Sequence, residues 1–261
     1  MLAKVRQGEI VETVYREGKA SISELAERFN VTTETIRRDL VILTNNEKLQ
    51  RVHGGVVLAS AVRSEPDYEY RIKLHAEEKR RIGQAAAKLI KDGDAIFIDE
   101  GSASTALAEA LTGLRGLQIV TCSLPNAVLL AKKLKDGEIT GNLTVLGGIV
   151  DPQSKGVFGL EAAQQLLKMN FSLAFFGATA LNSDGIYVWY ASEANFTRNL
   201  LEKSMKRVCL AESEKFGKTS FCHVTGFENV DILFTDSKNP IDNEILKAIH
   251  EAGTEVQIIQ A

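Results

Sequence analysis

Apolar residues recur along the chain in two rhythms. Up to about Ser60 they fall at helical spacing: Ile22, Leu25, Ala26 and Phe29 line one side of a short segment, and Ile36, Leu40 and Leu43 line one side of the next. From about Asp94 onward they come in strand-length runs, AIFI (95–98), LQIVT (117–121), LTVLG (143–147), LAFFG (173–177), VCLA (208–211) and ILFT (232–235). Each run is rich in β-branched or aromatic residues and is bounded by Gly, Asp or Ser. Helical patterns follow most of them, as in TALAEAL, PNAVLLAKKL and NEILKAIHEAG, the last with Gly253 as its stop. This alternation predicts an α/β domain with a doubly wound, mainly parallel sheet. The charged stretch AVRSEPDYEYRIKLHAEEKRRIGQ lies between the two textures and reads as a linker running into a helix from Ala76 to Ile90. The expected organisation is a small helical domain over 1–60, a linker over 61–80 and an α/β domain over 81–261.

The helices of the first segment are more specific than their periodicity. Ser21-Ile22-Ser23-Glu24 is a capping box: the Ser hydroxyl serves a first-turn amide and the Glu reaches back, so a helix starts there. It ends at Asn30, which tolerates left-handed backbone, and the next helix starts at Thr32 or Thr33. Burying Ile36, Leu40 and Leu43 turns Thr33 and Arg37 outward, and Thr35 and Arg38 partly so. Two helices joined by a three-residue turn, the second polar and carrying adjacent arginines, form the arrangement whose second helix enters the major groove. Arg offers a planar fork to guanine or phosphate, and Thr bonds phosphate or touches a thymine methyl. EKLQRVHGGVVL then predicts a hairpin wing turning at Gly54-Gly55, with Arg51 and His53 near its tip. An Arg pair alone is an ordinary solvated face, and Glu34 with Arg38 an ordinary surface pair. The order of cap, turn, Arg-bearing helix and wing makes the case for DNA.

Composition adjusts this picture in one respect. The 261 residues are 44% hydrophobic and 25% charged, which excludes a mainly disordered chain. Cys122, Cys209 and Cys222 form no CxxC pair, so neither a disulfide scaffold nor a structural zinc site is expected. No stretch has the apolar length of a signal peptide or a membrane span, and a cytoplasmic protein without membrane contact is expected. The net charge of −3 gives no reason to expect a polyanionic partner. That sum hides two unlike parts: residues 1–60 hold nine basic against eight acidic residues, with Arg37, Arg38, Lys48 and Arg51 crowding the later half.

The second domain offers a candidate anion site. Strand AIFI delivers Asp99 and then Gly101, Ser102, Ser104 and Thr105 at a helix start, where hydroxyls and free amides converge at the carboxyl edge of a parallel sheet. A Ser/Thr-rich helix start is by itself most often only a cap. Other strand ends add Thr121 and Ser123, Gly147 and Gly148, and a loop with Glu214 and Lys215, whose ammonium suits a phosphate monoester. Tyr187, Trp189 and Tyr190 bring rings that stack on a sugar or equally pack in a core.

The strings ISELAERFNVTTETIRRDLVIL and LQRVHGGVVL resemble the DNA-binding domain of the DeoR family of bacterial sugar-metabolism regulators, most specifically in TIRRDL and the HGG wing. The resemblance implies an N-terminal winged helix-turn-helix and a sugar-phosphate-sensing domain similar in fold to ribose-5-phosphate isomerase. It extends to Asp99, Gly101 and Ser102, Thr121, Gly147-Gly148, the stretch from Phe176 to Gly185 and Lys215 to Gly217, with Glu193 and Arg198 at charged family positions. The chain departs from the family pattern at Ala103 (usually Thr), Cys122 (Asn), Ala180 (Gly) and Glu214 (Ser or Thr), which changes the donors expected around an effector.

The expected function is a transcription regulator, a repressor of carbohydrate genes, with operator DNA, a phosphorylated sugar or sugar alcohol and further copies of itself (dimer or tetramer) as partners. No cofactor and no metal are expected. The competing reading is a sugar-phosphate isomerase with a helical appendage, in which Asp99 or Glu100 serves as base and Lys215 stabilises an enediolate. A purely architectural or RNA-binding protein leaves the α/β domain without a task.

Overall fold

The computed structural model describes residues 2–17, 19–44, 49–52, 54–58 and 66–260. The chain divides into two compact units, Met1–Ser64 and Glu65–Ala261.

The first unit contains α1 (Ala3–Glu17), β1 (Lys19–Ser21), α2 (Ile22–Phe29), α3 (Thr33–Thr44), β2 (Leu49–Val52) and β3 (Gly55–Leu58). The capping box forms: the Ser21 hydroxyl accepts from the Glu24 amide at 3.1 Å, and the Glu24 carboxylate accepts from the Ser21 amide at 3.0 Å. Asn30 stands in the left-handed region (φ 50°, ψ 52°) and stops α2. Ile22, Leu25, Ala26 and Phe29 pack with Ile36 and Leu40 around Ile10 and Val14 of α1. Leu43, expected in this core, is only half-buried at its margin. β2 and β3 pair antiparallel as the expected hairpin, and β1 joins on the outer side of β3.

The second unit contains α4 (Tyr68–Arg71), α5 (Ala76–Ala87), β4 (Ala95–Ile98), α6 (Ser102–Ala110), β5 (Leu117–Thr121), α7 (Leu124–Lys135), β6 (Gly141–Val145), β7 (Ile149–Val150), β8 (Val157–Phe158), α8 (Leu160–Leu166), β9 (Phe171–Gly177), β10 (Ala180–Asn182), β11 (Gly185–Val188), α9 (Ala191–Glu202), β12 (Ser204–Leu210), β13 (Cys222–Thr225), β14 (Ile232–Asp236), α10 (Asn243–Glu251) and β15 (Glu255–Ile259). The stretch expected as a linker is thus helical over α4 and the start of α5, and α5 ends at Ala87 rather than at Ile90.

All six strand runs found in the sequence enter one parallel sheet, with β15 as a seventh member, in the order β15-β14-β12-β9-β4-β5-β6. Side chains alternate between its faces, as a two-residue repeat requires. Ile96 and Ile98 of β4 pack with Ile82 of α5, Leu107 of α6 and Leu130 of α7. Phe97, between them in sequence, packs on the other face with Leu166 of α8, Phe196 and Leu200 of α9, and Ile245 of α10. Helices therefore cover both faces, and the doubly wound fold holds. A methyl group placed on Gly83 of α5 would lie 2.5 Å from the backbone of Ala106 in α6, so only glycine permits these helices to touch.

Candidate functional site

The outward face of α3 presents Thr33, Arg37 and Arg38 to solvent, with Thr35 half-buried, as the burial of Ile36 and Leu40 demands. The Arg37 and Arg38 side chains are 53% and 80% exposed, and each only grazes Glu34, at 3.5 and 3.8 Å. Pairs this exposed hold their partners weakly, so both guanidinium groups are available to a phosphate or a base edge. The Thr35 hydroxyl lies 2.9 Å from that of Thr32, within the turn that opens α3. Arg51 is exposed on β2, while His53 and Lys48 lie outside the described residues. Periodicity did not announce Asp39, which turns inward to Arg6 at 2.6 Å and Gln7 at 2.9 Å and ties α3 to α1.

In the second unit β4 lies between β5 and β9, and the chain leaves β4 towards β5 before returning on the other side as β9. A crevice opens where the winding reverses, beyond the strands' carboxyl ends. It is a narrow cleft, lined by Asp99 to Ser104 after β4, Gly177 to Thr179 after β9, Glu193, Lys215 and Arg71. Gly101 takes φ +117°, which favours glycine, and caps α6 without a side chain of its own. The first-turn amides of α6 thus have no side-chain acceptor. Ser104 is fully buried beside them, its hydroxyl without a hydrogen-bond partner.

Arg71 and Lys215 are the cations of the lining, and Asp99, Glu100 and Glu193 its carboxylates. Arg71 Nη2 is 3.3 Å from Glu100 Oε2, with the two side chains 15% and 3% exposed. Lys215, on the short 3₁₀ turn Ser213–Lys215, donates to the Ala178 carbonyl and lies 3.1 Å from Glu212. Glu212 is shared with Lys79 of α5 at 2.9 Å. Burial alone would raise the Glu212 carboxyl, but Lys215 and Lys79 outweigh it and hold the group well below the usual carboxylate range. Asp99 goes the other way: burial pushes its carboxyl up to about 6, against hydrogen bonds from the Cys122 thiol at 3.2 Å and the Glu100 and Gly177 amides.

The sequence-derived site residues divide in two. Asp99, Gly101, Ser102, Ser104 and Lys215 meet in the cleft. Thr105, Thr121, Ser123, Gly147 and Gly148 lie outside its lining. The Thr105 hydroxyl donates to Asn126 Oδ1 at 2.7 Å and lies 3.1 Å from the Tyr68 hydroxyl, locking α6 to its neighbours. Thr121 donates to the Ile98 carbonyl, and Ser123 caps α7 through the Asn126 amide. Gly147 is clasped by the Gln165 side chain beyond β6, the edge strand two places from the crevice, and Gly148 is exposed beside it. No motif points to Arg71, which comes from the supposed linker, nor to Glu193 as a lining residue.

The departures are absorbed locally. Ala103 lines the cleft, and Cys122 supplies Asp99 with a thiol donor. Ala180 is buried at the start of β10. Glu214 turns to the His75 ring, whose hydrogen bond lowers its carboxyl, and does not line the cleft. Tyr187 packs on His223, Trp189 on Phe221, and Tyr190 donates to Gln153 at 3.3 Å, so none of the three rings reaches the cleft.

Residues 6–62 match the DeoR-like helix-turn-helix domain and residues 74–237 the DeoR C terminal sensor domain. The chain belongs to the DeoR family. Within the family it is 31% identical over 258 residues to the HTH-type transcriptional regulator GolR of Listeria innocua, covering 98% of each protein. It is 30% identical over 237 residues to the glycerol-3-phosphate regulon repressor of Escherichia coli, covering 90% of this chain and 92% of that one. Among solved structures, ribose 5-phosphate isomerase A from Neisseria gonorrhoeae aligns with a TM-score of 0.36 at 20% identity, over 56% of this chain and 54% of the isomerase. Among the described residues no helix of this DeoR-family protein is long and apolar enough to cross a membrane, and no cluster of His, Cys, Asp and Glu is arranged to hold a metal ion.

Proposed function

We infer that this DeoR-family chain is a DNA-binding transcription regulator, a repressor of carbohydrate-related genes, whose operator binding responds to a phosphorylated sugar or sugar alcohol in the cleft between β4 and β9. One arrangement carries the reading. An uncapped helix N-terminus, a buried unpartnered Ser104 hydroxyl and the cations Arg71 and Lys215 face one crevice. That set suits a phosphate monoester, with the amides, hydroxyl and cations on its oxygens and the carboxylates of Asp99 and Glu193 accepting from ligand hydroxyls. The names of the relatives favour carbohydrate operons, the glycerol-3-phosphate regulon repressor being one. Residues 1–60 read the DNA through Thr33, Thr35, Arg37 and Arg38, with Arg51 and His53 on the flanking backbone. The protein works in the cytoplasm as a homo-oligomer, since paired reading helices on one operator need two-fold-related copies.

The isomerase reading is less well supported. Glu100 is engaged with Arg71, and Lys215 with Glu212 and a backbone carbonyl, so the supposed base and electrophile are held as structural and binding groups. The relatives, moreover, are named as regulators. Retardation of DNA from upstream of the chain's own gene, measured with and without a panel of phosphorylated sugars and sugar alcohols, tests the proposal. Specific retardation relieved by one of the panel is expected. Binding that no panel member alters would overturn the sensing half, and turnover of ribose 5-phosphate would replace it with the enzyme.

A further inference from the structure

We propose that Arg71 binds the effector's anionic group and, in doing so, moves the segment 67–79 at the start of the second unit. The proposal rests on the effector reading above and adds to it one ligand-binding residue and the part that moves. Arg71 ends α4, and its guanidinium meets Glu100, the residue before the Gly101 cap of α6. The Glu100 carboxylate therefore engages Arg71 at the mouth of a helix N-terminus that favours an anion. A phosphate monoester brings a charge of about −1.5 to −2 and three oxygens matched to the guanidinium fork. It outcompetes the single charge of Glu100 for Arg71.

The rest of the segment is tied to the same place. Lys79 donates to the carbonyls of Arg71 and, at 2.7 Å, of Leu74, so its ammonium clamps both sides of the turn between α4 and α5. That ammonium is held by Glu212, and Glu212 is also the partner of Lys215, which lines the cleft. A ligand that draws Lys215 from Glu212 thus alters the clamp on the segment, while Arg71 pulls on the segment directly. Further polar ties of the segment run from the Tyr68 hydroxyl to Thr105 at 3.1 Å, from His75 to Glu214, and from Lys238 to Glu78 at 2.6 Å. Buried pairs of this kind rearrange when an incoming anion replaces the partner that a cation gives up, since an ion left without a partner is costly.

The test uses the full chain, with inorganic phosphate and the sugar-phosphate panel, each sugar phosphate beside its dephosphorylated counterpart, and reads affinity by calorimetry. Arg71→Ala is expected to weaken the phosphorylated probes by about tenfold or more and to leave the unphosphorylated ones unchanged; Arg71→Lys should recover part of the loss. Glu100→Gln, which removes the competing charge, should bind phosphorylated probes more tightly and keeps the test open if Arg71→Ala fails to fold. Amide hydrogen exchange in residues 68–74 should accelerate when a phosphorylated probe binds the wild type and not when it binds Arg71→Ala. Arg71→Ala affinity equal to wild type, beside a loss in Lys215→Ala, would overturn this inference and leave the effector reading standing. So would a loss of phosphate affinity in Glu100→Gln. Failure of every probe to bind the wild type would overturn both.

Discussion

Asp99 and Glu212 are both buried carboxyl groups near one cleft, and they titrate in opposite directions for separable reasons. Asp99 is raised by burial from 3.8 to about 6, the nearby Arg71 cation opposing this only weakly. The fold thus favours its neutral form, and this contribution is fully present below about pH 4 and disappears as pH climbs to about 6. The loss is on the order of 3 kcal/mol. Asp99→Asn removes the titration, so the stability of the variant relative to wild type should rise by about that amount between pH 4 and pH 7 in urea unfolding; a flat difference would place the Asp99 carboxyl near its ordinary value. Glu212 is depressed by two ammonium groups, so its contribution is present at neutral pH and is lost in the acid range. Glu212→Gln leaves Lys79 and Lys215 facing each other without their shared anion. A cost of about 3–5 kcal/mol is expected at pH 7 by the same measurement. Neither role was legible beforehand. A charged residue beside a strand end reads the same whether it is paired, neutral or exposed, and Arg71 sits where the letters suggest only a solvated linker.

Elements were legible wherever local chemistry and tertiary packing ask for the same thing. The start of α2 is an example: the capping box and the left-handed Asn30 bracket a helix whose apolar face is buried in full. Ser21→Ala should therefore cost about 1 kcal/mol in thermal or urea unfolding, since it frees the Glu24 amide. β1 and β15 went unread for different reasons. β1 has three residues, too few for any period, and exists because β3 offers it a free edge. β15, EVQII, is the exposed edge of the main sheet and lacks the solid apolar run of a strand covered on both faces. The antiparallel group β10-β11-β13 was likewise hidden, because GIYVWY reads equally as an aromatic loop. On α3 the sequence pattern and the structure agree about which side faces out, and this permits a clean test. Arg37→Ala should weaken operator binding by about 1–3 kcal/mol while leaving the unfolding midpoint unchanged, because the side chain is solvated and its contact with Glu34 is loose. Retained affinity in gel retardation would assign DNA reading to another element.

For the whole molecule the charge distribution decides how DNA binding should respond to salt. The chain totals −3, residues 1–60 carry +1 and the remainder −4, so no broad cationic surface assists the reading helix. The outward-facing cations described on α3 and β2 are Arg37, Arg38 and Arg51. If each meets one phosphate, the plot of log affinity against log salt should fall with a slope of about −3 for each subunit on the operator, and about −5 to −6 for a two-fold pair. Arg38→Ala should make that slope shallower by about one per subunit without relaxing sequence preference, as removal of a phosphate contact does. A slope near −10 would mean that further cations engage. The same measurement separates two ways in which an effector acts. A ligand that changes the spacing of the paired readers leaves one of them engaged, so the residual complex should keep about half of the slope. A ligand that weakens both readers equally lowers the affinity and leaves the slope as it was. An effector held by residues of the second unit leaves the α3 arginines of each reader unaltered, so the halved slope is the expected outcome.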